Sequence, residues 1–108
     1  MTTAANSNWG YMIVWEFRAG KGVESRFEEA YGSQGVWAKF FAAGQGFVAT
    51  ELNRDLNDPS RYFTLDLWVS KEAYETFRAT HQEEYKAIDQ QCESLIAEEK
   101  PLGEFQRV

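Results

Sequence analysis

The segment from Arg61 to Val69 constrains the fold more than any other part of the sequence. Its letters, RYFTLDLWV, are rich in β-branched and aromatic residues and follow a run of turn-forming residues, DLNDPS. Strand alternation places on one face Phe63, Leu65, Leu67 and Val69. It places on the other face Tyr62, Thr64, Asp66 and Trp68. A solvent-facing sheet rarely exposes so much apolar surface, so both sides of this strand need cover.

The segments before this strand alternate between strand and helix periodicity. Tyr11 to Arg18 and Phe47 to Arg54 are predicted strands, because their side chains alternate and glycines lie next to them. One face of the first strand is wholly apolar: Tyr11, Ile13, Trp15 and Phe17. Val23 to Tyr31 has apolar residues at helical spacing, and a second short helix is predicted at Gly35 to Ala43.

A long helical pattern follows the strand at Arg61. Ser70 is a good helix N-cap, because strong helix formers and an acidic residue come directly after it. One face of the helix is then formed by Tyr74, Phe77, His81, Tyr85, Ile88, Cys92 and Leu95. We expect one break near Thr80 to Gln82, since an unbroken helix would overhang so small a sheet. Pro101 cannot continue a helix, and Gly103 to Val108 is predicted to form a final edge strand.

The element order is therefore β-α-(α)-β-β-α-β, the split βαβ or ferredoxin-like order. We predict an α+β fold in which helices cover one face of a four-stranded antiparallel sheet. The residues assigned to the helix-covered face include Phe63, Leu65 and Leu67. The polar and aromatic residues assigned to the opposite face are Asp66, Trp68, Tyr62, Glu16 and Glu51. Pairing that opposite face with a second copy about a two-fold axis is the simplest way to bury it, which predicts a homodimer.

Length and charge exclude several classes of function. The 108 residues suffice for a single domain at 10–108, after an expected flexible N-terminal tail at 1–9 that lacks the pattern of a signal peptide. The net charge of −6 argues against nucleic acid and against anionic membrane surfaces as partners. Cys92 is the only cysteine, so no intrachain disulfide can form, and no apolar run approaches the length of a membrane span. We expect a cytoplasmic location.

His81 is the only histidine, and histidine is the side chain whose unperturbed pKa lies near neutrality. It falls within the apolar face of the long helix and is expected to point at the sheet. One interpretation is a hydrogen-bonded histidine that fills a core position. The other is a general base or substrate donor in a pocket between helix and sheet. A metal site is not expected, because there is no second histidine and one free cysteine makes a poor ligand set.

Asp66 is the second candidate for chemistry. It lies in the middle of a strand, where carboxylates are disfavoured, and a buried acid must be paired or protonated. It is interpreted either as part of an ion-pair network across a dimer interface or as an acid/base residue with a raised pKa. The aromatic residues Trp37, Phe40 and Phe41 are interpreted either as core packing or as a lid over an aromatic ligand.

Four segments resemble the antibiotic biosynthesis monooxygenase family of dimeric α/β-barrel proteins. They are YMIVWEFRAGKG, GFVATELNRD, YFTLDLWVSKEAYETFR and PLGEF, and together they span Tyr11 to Phe105. The strand that ends at Trp68, followed by Ser70-Lys71-Glu72-Ala73-Tyr74, is similar to the family's run W-x-S-x-E-A-[FY]. The resemblance implies a homodimer in which two sheets close into a barrel with the helices outside.

The resemblance also implies a function. Characterised members include cofactor-free monooxygenases that act on aromatic polyketides, in which the deprotonated substrate itself activates dioxygen. We therefore expect a cofactor-independent monooxygenase-like enzyme that acts on a small aromatic or quinol-type substrate, with His81 as the base or hydrogen-bond donor. The expected pocket walls are Trp37, Phe40, Tyr85 and Trp15. No phosphate loop or dinucleotide fingerprint is present, so no cofactor is expected.

Two alternatives remain at this level. The first is a non-catalytic dimeric module that binds a small ligand. The second is haem binding and degradation, which the sequence disfavours. The haem-degrading relatives have an asparagine in the first strand and a helical tryptophan ten residues before a histidine. In this chain Lys71 holds that position relative to His81, and Asn8 lies before the predicted first strand.

Overall fold

The computed structural model describes residues 8–108, and it contains four strands and four α-helices. The strands are β1 (Tyr11–Ala19), β2 (Phe47–Arg54), β3 (Arg61–Trp68) and β4 (Ile96–Gln106). The helices are α1 (Glu24–Tyr31), α2 (Val36–Phe41), α3 (Lys71–Thr80) and α4 (Gln82–Cys92), and a short 3₁₀ turn, Glu93–Leu95, follows α4. All neighbouring strands are antiparallel, in the order β2-β3-β1-β4. The predicted ferredoxin-like α+β fold is therefore confirmed. Most of the predicted tail at 1–9 lies outside the described residues.

The helices cover the face of β3 that contains Tyr62 and Trp68, so the sequence-based assignment of its two faces was wrong. Tyr62 is 1% exposed and Trp68 is 0% exposed. Trp68 contacts Phe41 and Phe77 of the helices, and Tyr62 contacts Phe27. Asp66 lies on the same helix-covered face. The three residues that had been assigned to the helices lie instead on the opposite, open face: Phe63, Leu65 and Leu67.

The strand register explains this correction. β1 pairs with β3 so that Phe17 lies opposite Tyr62 and Ile13 lies opposite Asp66. Directly paired residues of an antiparallel sheet point to the same face, so the wholly apolar face of β1 and the Tyr62 face of β3 are one surface. Of the residues that had been assigned to the open face, Glu16 and Glu51 do lie there, opposite Phe63 and Leu65.

The core is a continuous cluster of aromatic rings between the sheet and the helices. On α1, Phe27 is 0% exposed and its ring centroid lies 4.5 Å from that of Tyr31 and 4.7 Å from that of Tyr62. Each fully buried large apolar side chain contributes roughly 1.5–3 kcal/mol relative to an exposed one. A polar link fixes the same helix from outside the core, because Tyr62 Oη donates to Glu28 Oε2 at 2.7 Å.

The long helix breaks at His81, as predicted. Ser70 is the N-cap of α3, and its Oγ accepts a hydrogen bond from the backbone N–H of Ala73 at 3.1 Å. His81 has φ −128° and ψ 34°, which is outside the helical range, and α4 begins directly after it. The break therefore divides the predicted long helix into α3 and α4. No helix among residues 8–108 is long and apolar enough to cross a membrane.

The last strand is longer than the sequence predicted. β4 begins at Ile96 rather than at Gly103, and it continues through Pro101. Proline removes one ladder donor, which a strand tolerates at the edge of a sheet. β4 is such an edge, and its register with β1 shifts between the pairs that involve Gly103 and Pro101. The irregular register and four charged residues mask the strand pattern in this part of the sequence.

Candidate active site

A cavity of about 140 Å³ lies between the sheet and the helices. Six aromatic side chains from β1 and three helices form its walls: Trp15, Phe17, Tyr31, Trp37, Phe41 and Tyr85. Five polar residues complete the lining: Thr50, Thr64, Asp66, Asp89 and Glu99. A mainly aromatic pocket with a few convergent polar groups is typical of sites that bind small organic molecules.

The polar group at the sheet side of the cavity is centred on Asp66. This residue lies in the central strand β3, and Thr50 Oγ1 donates a hydrogen bond to its Oδ1 at 2.8 Å. The carboxyl is surrounded by packed side chains and retains a partly accessible surface where it lines the cavity. Burial raises the pKa of Asp66 to about 6, against the opposing effect of the hydrogen bond from Thr50. Such a carboxyl changes charge close to neutral pH.

The aromatic walls are held by ring contacts among residues of different elements. The ring of Trp37 meets Tyr85 edge to face, with centroids 5.0 Å apart, and it contacts Phe41 at 5.8 Å. Trp15 stacks on Phe17 at 6.1 Å. Trp37 is 7% exposed, and its buried Nε1 has no hydrogen-bond partner among the described residues. Rigid rings of this kind position a flat ligand at small cost in side-chain entropy.

Tyr85 lines the cavity, and its ring contacts the cationic side chain of Arg78, which lies outside the lining. The guanidinium carbon of Arg78 lies 3.7 Å from the centroid of the Tyr85 ring, and Arg78 Nη1 donates to Tyr74 Oη at 2.8 Å. Burial raises the pKa of Tyr85 to about 12, with Arg78 acting in the opposite direction. Tyr85 therefore stays protonated at neutral pH and presents a hydroxyl donor.

Two carboxylates line the part of the cavity that reaches the surface. Asp89 on α4 and Glu99 on β4 are both exposed residues, and both belong to the lining. Partial burial, and then the nearby charge of Asp89, raise the pKa of Glu99. No lysine, arginine or histidine of residues 8–108 lines this cavity.

His81 does not line this cavity. Its ring stacks on Phe77 with centroids 4.2 Å apart, and its Nδ1 lies 3.0 Å from the carbonyl oxygen of Phe77 and 2.9 Å from Thr80 Oγ1. It borders a shallow groove that runs between α3 and the Gly44 segment. The two residues flagged for chemistry from the sequence, His81 and Asp66, therefore belong to different depressions on the helix side of the sheet.

The sequence named three residues that the structure places in the cavity wall, Trp15, Trp37 and Tyr85. The fourth, Phe40, packs outside the lining, with its ring centroid 6.3 Å from that of Trp37 and 4.9 Å from that of Phe77. Sequence reasoning missed six lining residues: Phe17, Tyr31, Thr50, Thr64, Asp89 and Glu99. The hydroxyls of Thr50 and Thr64 beside the carboxyl of Asp66, on one sheet face, are the signal that the correct register would have revealed.

The expected ion-pair network involving Asp66 was also misplaced. Arg61 Nε binds Glu16 Oε2 at 2.9 Å, and Arg61 Nη1 binds Asp55 Oδ2 at 2.9 Å, within one chain. Glu16 lies on the open face, and hydrogen bonding to Arg61 lowers the pKa of its carboxyl. Asp66 has no part in this network. Among residues 8–108 no group of three His, Cys, Asp or Glu side chains is placed to bind a metal ion.

Solved structures with similar folds come from several bacteria. SnoaB, a cofactor-independent oxygenase from Streptomyces nogalater, is 23% identical, with a TM-score of 0.67 over 93% of this chain and 94% of that one. A candidate antibiotic biosynthesis monooxygenase from Bordetella bronchiseptica is 18% identical, with a TM-score of 0.70 over 93% and 98% of the two chains. PA3566 from Pseudomonas aeruginosa is 17% identical, with a TM-score of 0.65 over 93% and 95%. These likenesses establish the fold.

Comparison at the level of sequence gives one family. No curated protein sequence matches the chain. The family model for antibiotic biosynthesis monooxygenases matches residues 10–91, which is most of the domain. The chain therefore belongs to the antibiotic biosynthesis monooxygenase family.

Proposed function

We propose that this protein is a cofactor-independent monooxygenase-like enzyme that oxidises a small aromatic or quinol-type substrate, with Asp66 as the proton acceptor. The observation that supports this most directly is the buried carboxyl of Asp66, with a pKa of about 6, at one side of an aromatic-walled cavity. General bases work best when their pKa lies near the operating pH. Family membership and the similarity to SnoaB, a cofactor-independent oxygenase, agree with this class of reaction.

The cavity volume limits the size of the substrate. An apolar protein cavity of roughly 150 Å³ admits a molecule of benzene. The cavity beside Asp66 has a volume of about 140 Å³. One aromatic ring therefore fits between the tryptophan and tyrosine walls, whereas a fused polycyclic substrate requires the walls to move. A monocyclic phenol or hydroquinone-like compound matches this space best.

The reaction balances without an external reductant. The ionised carboxylate of Asp66 takes the proton from the substrate hydroxyl, which leaves an electron-rich phenolate that reduces dioxygen. One oxygen atom becomes bonded to a ring carbon, and the other leaves as water, so that a phenol and dioxygen give a quinone and water. The substrate supplies all four electrons. When the O–O bond breaks, Asp66 returns its proton to the departing oxygen atom, and the ring carbon that gained oxygen loses its hydrogen as the second proton of that water. Tyr85, whose pKa is about 12, stays a neutral donor throughout.

The sequence predicts His81 as the base, and this prediction competes with the proposal for Asp66. The test measures oxygen uptake with a panel of monocyclic phenols and hydroquinones, for the wild type, Asp66→Asn and His81→Ala. Asparagine keeps the shape of the side chain and can still accept the hydrogen bond from Thr50. We expect Asp66→Asn to lose about 10²-fold or more in kcat, the usual contribution of a general base, and His81→Ala to stay close to wild type.

Each other outcome has a definite meaning. Wild-type turnover by Asp66→Asn refutes the role of Asp66, and loss of turnover only in His81→Ala returns the base to the histidine. If the same phenols raise the unfolding temperature of the protein but no oxygen is taken up, the protein is instead a non-catalytic module that binds a small ligand. Uptake of labelled dioxygen with one labelled atom in the product confirms the monooxygenase stoichiometry.

We further propose that the protein is a homodimer that pairs through the open face of the sheet. This face presents partly exposed apolar side chains, which include Met12, Phe63, Leu65 and Phe105, the last 47% exposed. Ion pairs such as Arg61–Glu16 lie beside them. An apolar centre next to a charged rim is typical of interfaces between identical subunits. In that arrangement the cavity with Asp66 lies on the helix side of each sheet.

A further inference from the structure

We propose that the cavity selects aromatic compounds with a positively charged substituent, such as phenolic amines, and rejects aromatic carboxylates. This inference rests on the proposed function, since it names the substrate class of the same cavity. Three ionisable acids line the cavity, Asp66 at the sheet side and Asp89 and Glu99 where the lining reaches the surface. No cationic side chain among residues 8–108 lines it.

The positions of the acids separate two roles. Asp66 lies on the central strand beside the two threonines and is available to a ring hydroxyl. Asp89 and Glu99 lie on the last helix and the last strand, both are exposed where the lining reaches the surface, and they are close enough for the charge of Asp89 to raise the pKa of Glu99. A substrate whose hydroxyl meets Asp66 therefore extends its far end towards Asp89 and Glu99. A cationic group there gains attraction, and an anionic group meets two like charges.

The aromatic walls also favour a substrate with a positively charged substituent. The faces of tryptophan, tyrosine and phenylalanine rings attract cations through their quadrupoles, and six such rings form the walls. The cation that contacts this wall, Arg78, lies against the Tyr85 ring at 3.7 Å and is not part of the lining, so it does not supply a site for a carboxylate inside the cavity. The net charge of −6 adds a long-range attraction for cations.

The test compares three phenols whose para substituents share a two-carbon chain and differ in the charge at its end. They are tyramine (cationic), 4-ethylphenol (neutral) and 3-(4-hydroxyphenyl)propionate (anionic), and their binding to the wild type is measured by titration calorimetry at about pH 7.5, where the amine and the carboxylate are both charged. We expect tyramine to bind at least about tenfold more tightly than the propionate, a difference equivalent to about 1.4 kcal/mol, with 4-ethylphenol between them.

Isosteric variants assign the preference to the two carboxylates. In the double variant Asp89→Asn/Glu99→Gln we expect the preference for tyramine over the propionate to fall towards unity, while the affinity for 4-ethylphenol stays unchanged. Glu83→Gln is the matched control, because Glu83 is exposed on the same helix as Asp89 and does not line the cavity. This variant should retain the wild-type preference. Raising the salt concentration should reduce the preference of the wild type, since exposed charges are screened.

The possible failures are distinguishable. If 4-ethylphenol binds but the amine and the acid bind equally well, the charge selection is refuted and the proposed function stands. If the preference persists unchanged in the double variant, Asp89 and Glu99 are not its source, and the inference is likewise refuted. If none of the three phenols binds, the aromatic cavity is not a site for monocyclic phenols, and the proposed function fails together with the inference.

Discussion

Asp66 combines a role in the proposed reaction with a cost to the stability of the fold. A carboxyl in the central strand of a small sheet loses hydration, and one hydrogen bond from Thr50 replaces only part of it. Burial accordingly raises the pKa of Asp66 from 3.8 to about 6. At neutral pH the folded protein must hold a negative charge in a place where the neutral form is preferred. Groups kept in such a state are common in active sites.

The stability of the protein should therefore depend on pH through this residue in a definite direction. Because the folded state binds the Asp66 proton more tightly, the contribution of the residue to stability is complete below about pH 4 and is lost as the pH rises through about 6. We expect Asp66→Asn to exceed the wild type by about 2–3 kcal/mol in unfolding free energy at pH 8, and to match it near pH 4. Denaturant titrations at both pH values measure the gap.

The unfolding free energies of wild type and variant must be compared at each pH, because other carboxyls make the protein less stable as the pH falls. Hydrogen bonds to Arg61 and Arg18 lower the pKa values of Glu16 and Asp58, respectively, so their contributions are lost on acidification. These contributions cancel in the difference between the two proteins. A gap of the same size at both pH values would show that the charge of Asp66 is not its cause.

The sequence predicted several residues that line the cavity, but it did not predict the sheet face on which Asp66 lies. Asp66 was recognised as a candidate acid, because a carboxyl in the middle of an apolar strand needs a reason. Trp15, Trp37 and Tyr85 were named as pocket walls, and they line the cavity. The face on which Asp66 lies was assigned wrongly, because alternation divides a strand into two sets without saying which set meets the helices. That choice depends on pairing with β1, which is a non-local property.

At the scale of elements, the helix pair α3 and α4 closes the cavity side of the fold. α4 contributes Tyr85 and Asp89 to the lining. α3 contributes no lining residue, and its Phe77 packs in the core on Trp68 with centroids 5.5 Å apart. The non-helical backbone of His81 separates the two helices. The position of α3 is fixed at its start by the Ser70 cap, which leads directly from the end of β3.

Loss of the Ser70 cap should have a measurable cost. Ser70→Ala removes the oxygen that accepts the Ala73 N–H at 3.1 Å and leaves that donor without a partner in the first turn. We expect the unfolding free energy to fall by about 1 kcal/mol, the usual effect of losing a serine cap. Ser70→Asp keeps an acceptor and should remain near wild type. Equal stability of the alanine variant and wild type in denaturant titrations would contradict this expectation.

The accuracy of element prediction followed the strength of local periodicity. The break between α3 and α4 and the strands β1, β2 and β3 were predicted close to their observed limits, because their side chains repeat with a clear period of two or of about 3.6. β4 was predicted too short. Its pattern is interrupted by Pro101 and by a register shift, and pairing with β1 holds it in place instead.

At the scale of the whole molecule, the open face of the sheet should determine the state of association. Leu65 lies near the centre of this face, opposite Val14 on β1 and Glu51 on β2. We expect the wild type to sediment as a dimer and Leu65→Glu to sediment as a monomer, because a carboxylate introduced at the centre of an interface would be buried without a partner. Analytical ultracentrifugation at several concentrations measures this.

A matched control uses the most exposed leucine of the described chain. Leu56 is 98% exposed in the loop between β2 and β3, so Leu56→Glu introduces the same charge away from the sheet face. This variant should keep the association state of the wild type. A wild type that sediments as a monomer at all concentrations would refute pairing through the open face.

The edge of the sheet formed by β4 affects how readily other chains can add to the sheet at high protein concentration. An edge strand is normally a template on which a further strand, from any chain, can form a ladder of backbone hydrogen bonds. β4 is a poor template, because Pro101 offers no N–H, the register shifts beside it, and glutamates such as Glu98 and Glu104 repel a similar strand. The same strand that supplies Glu99 to the cavity is thus a poor site for the addition of a further strand.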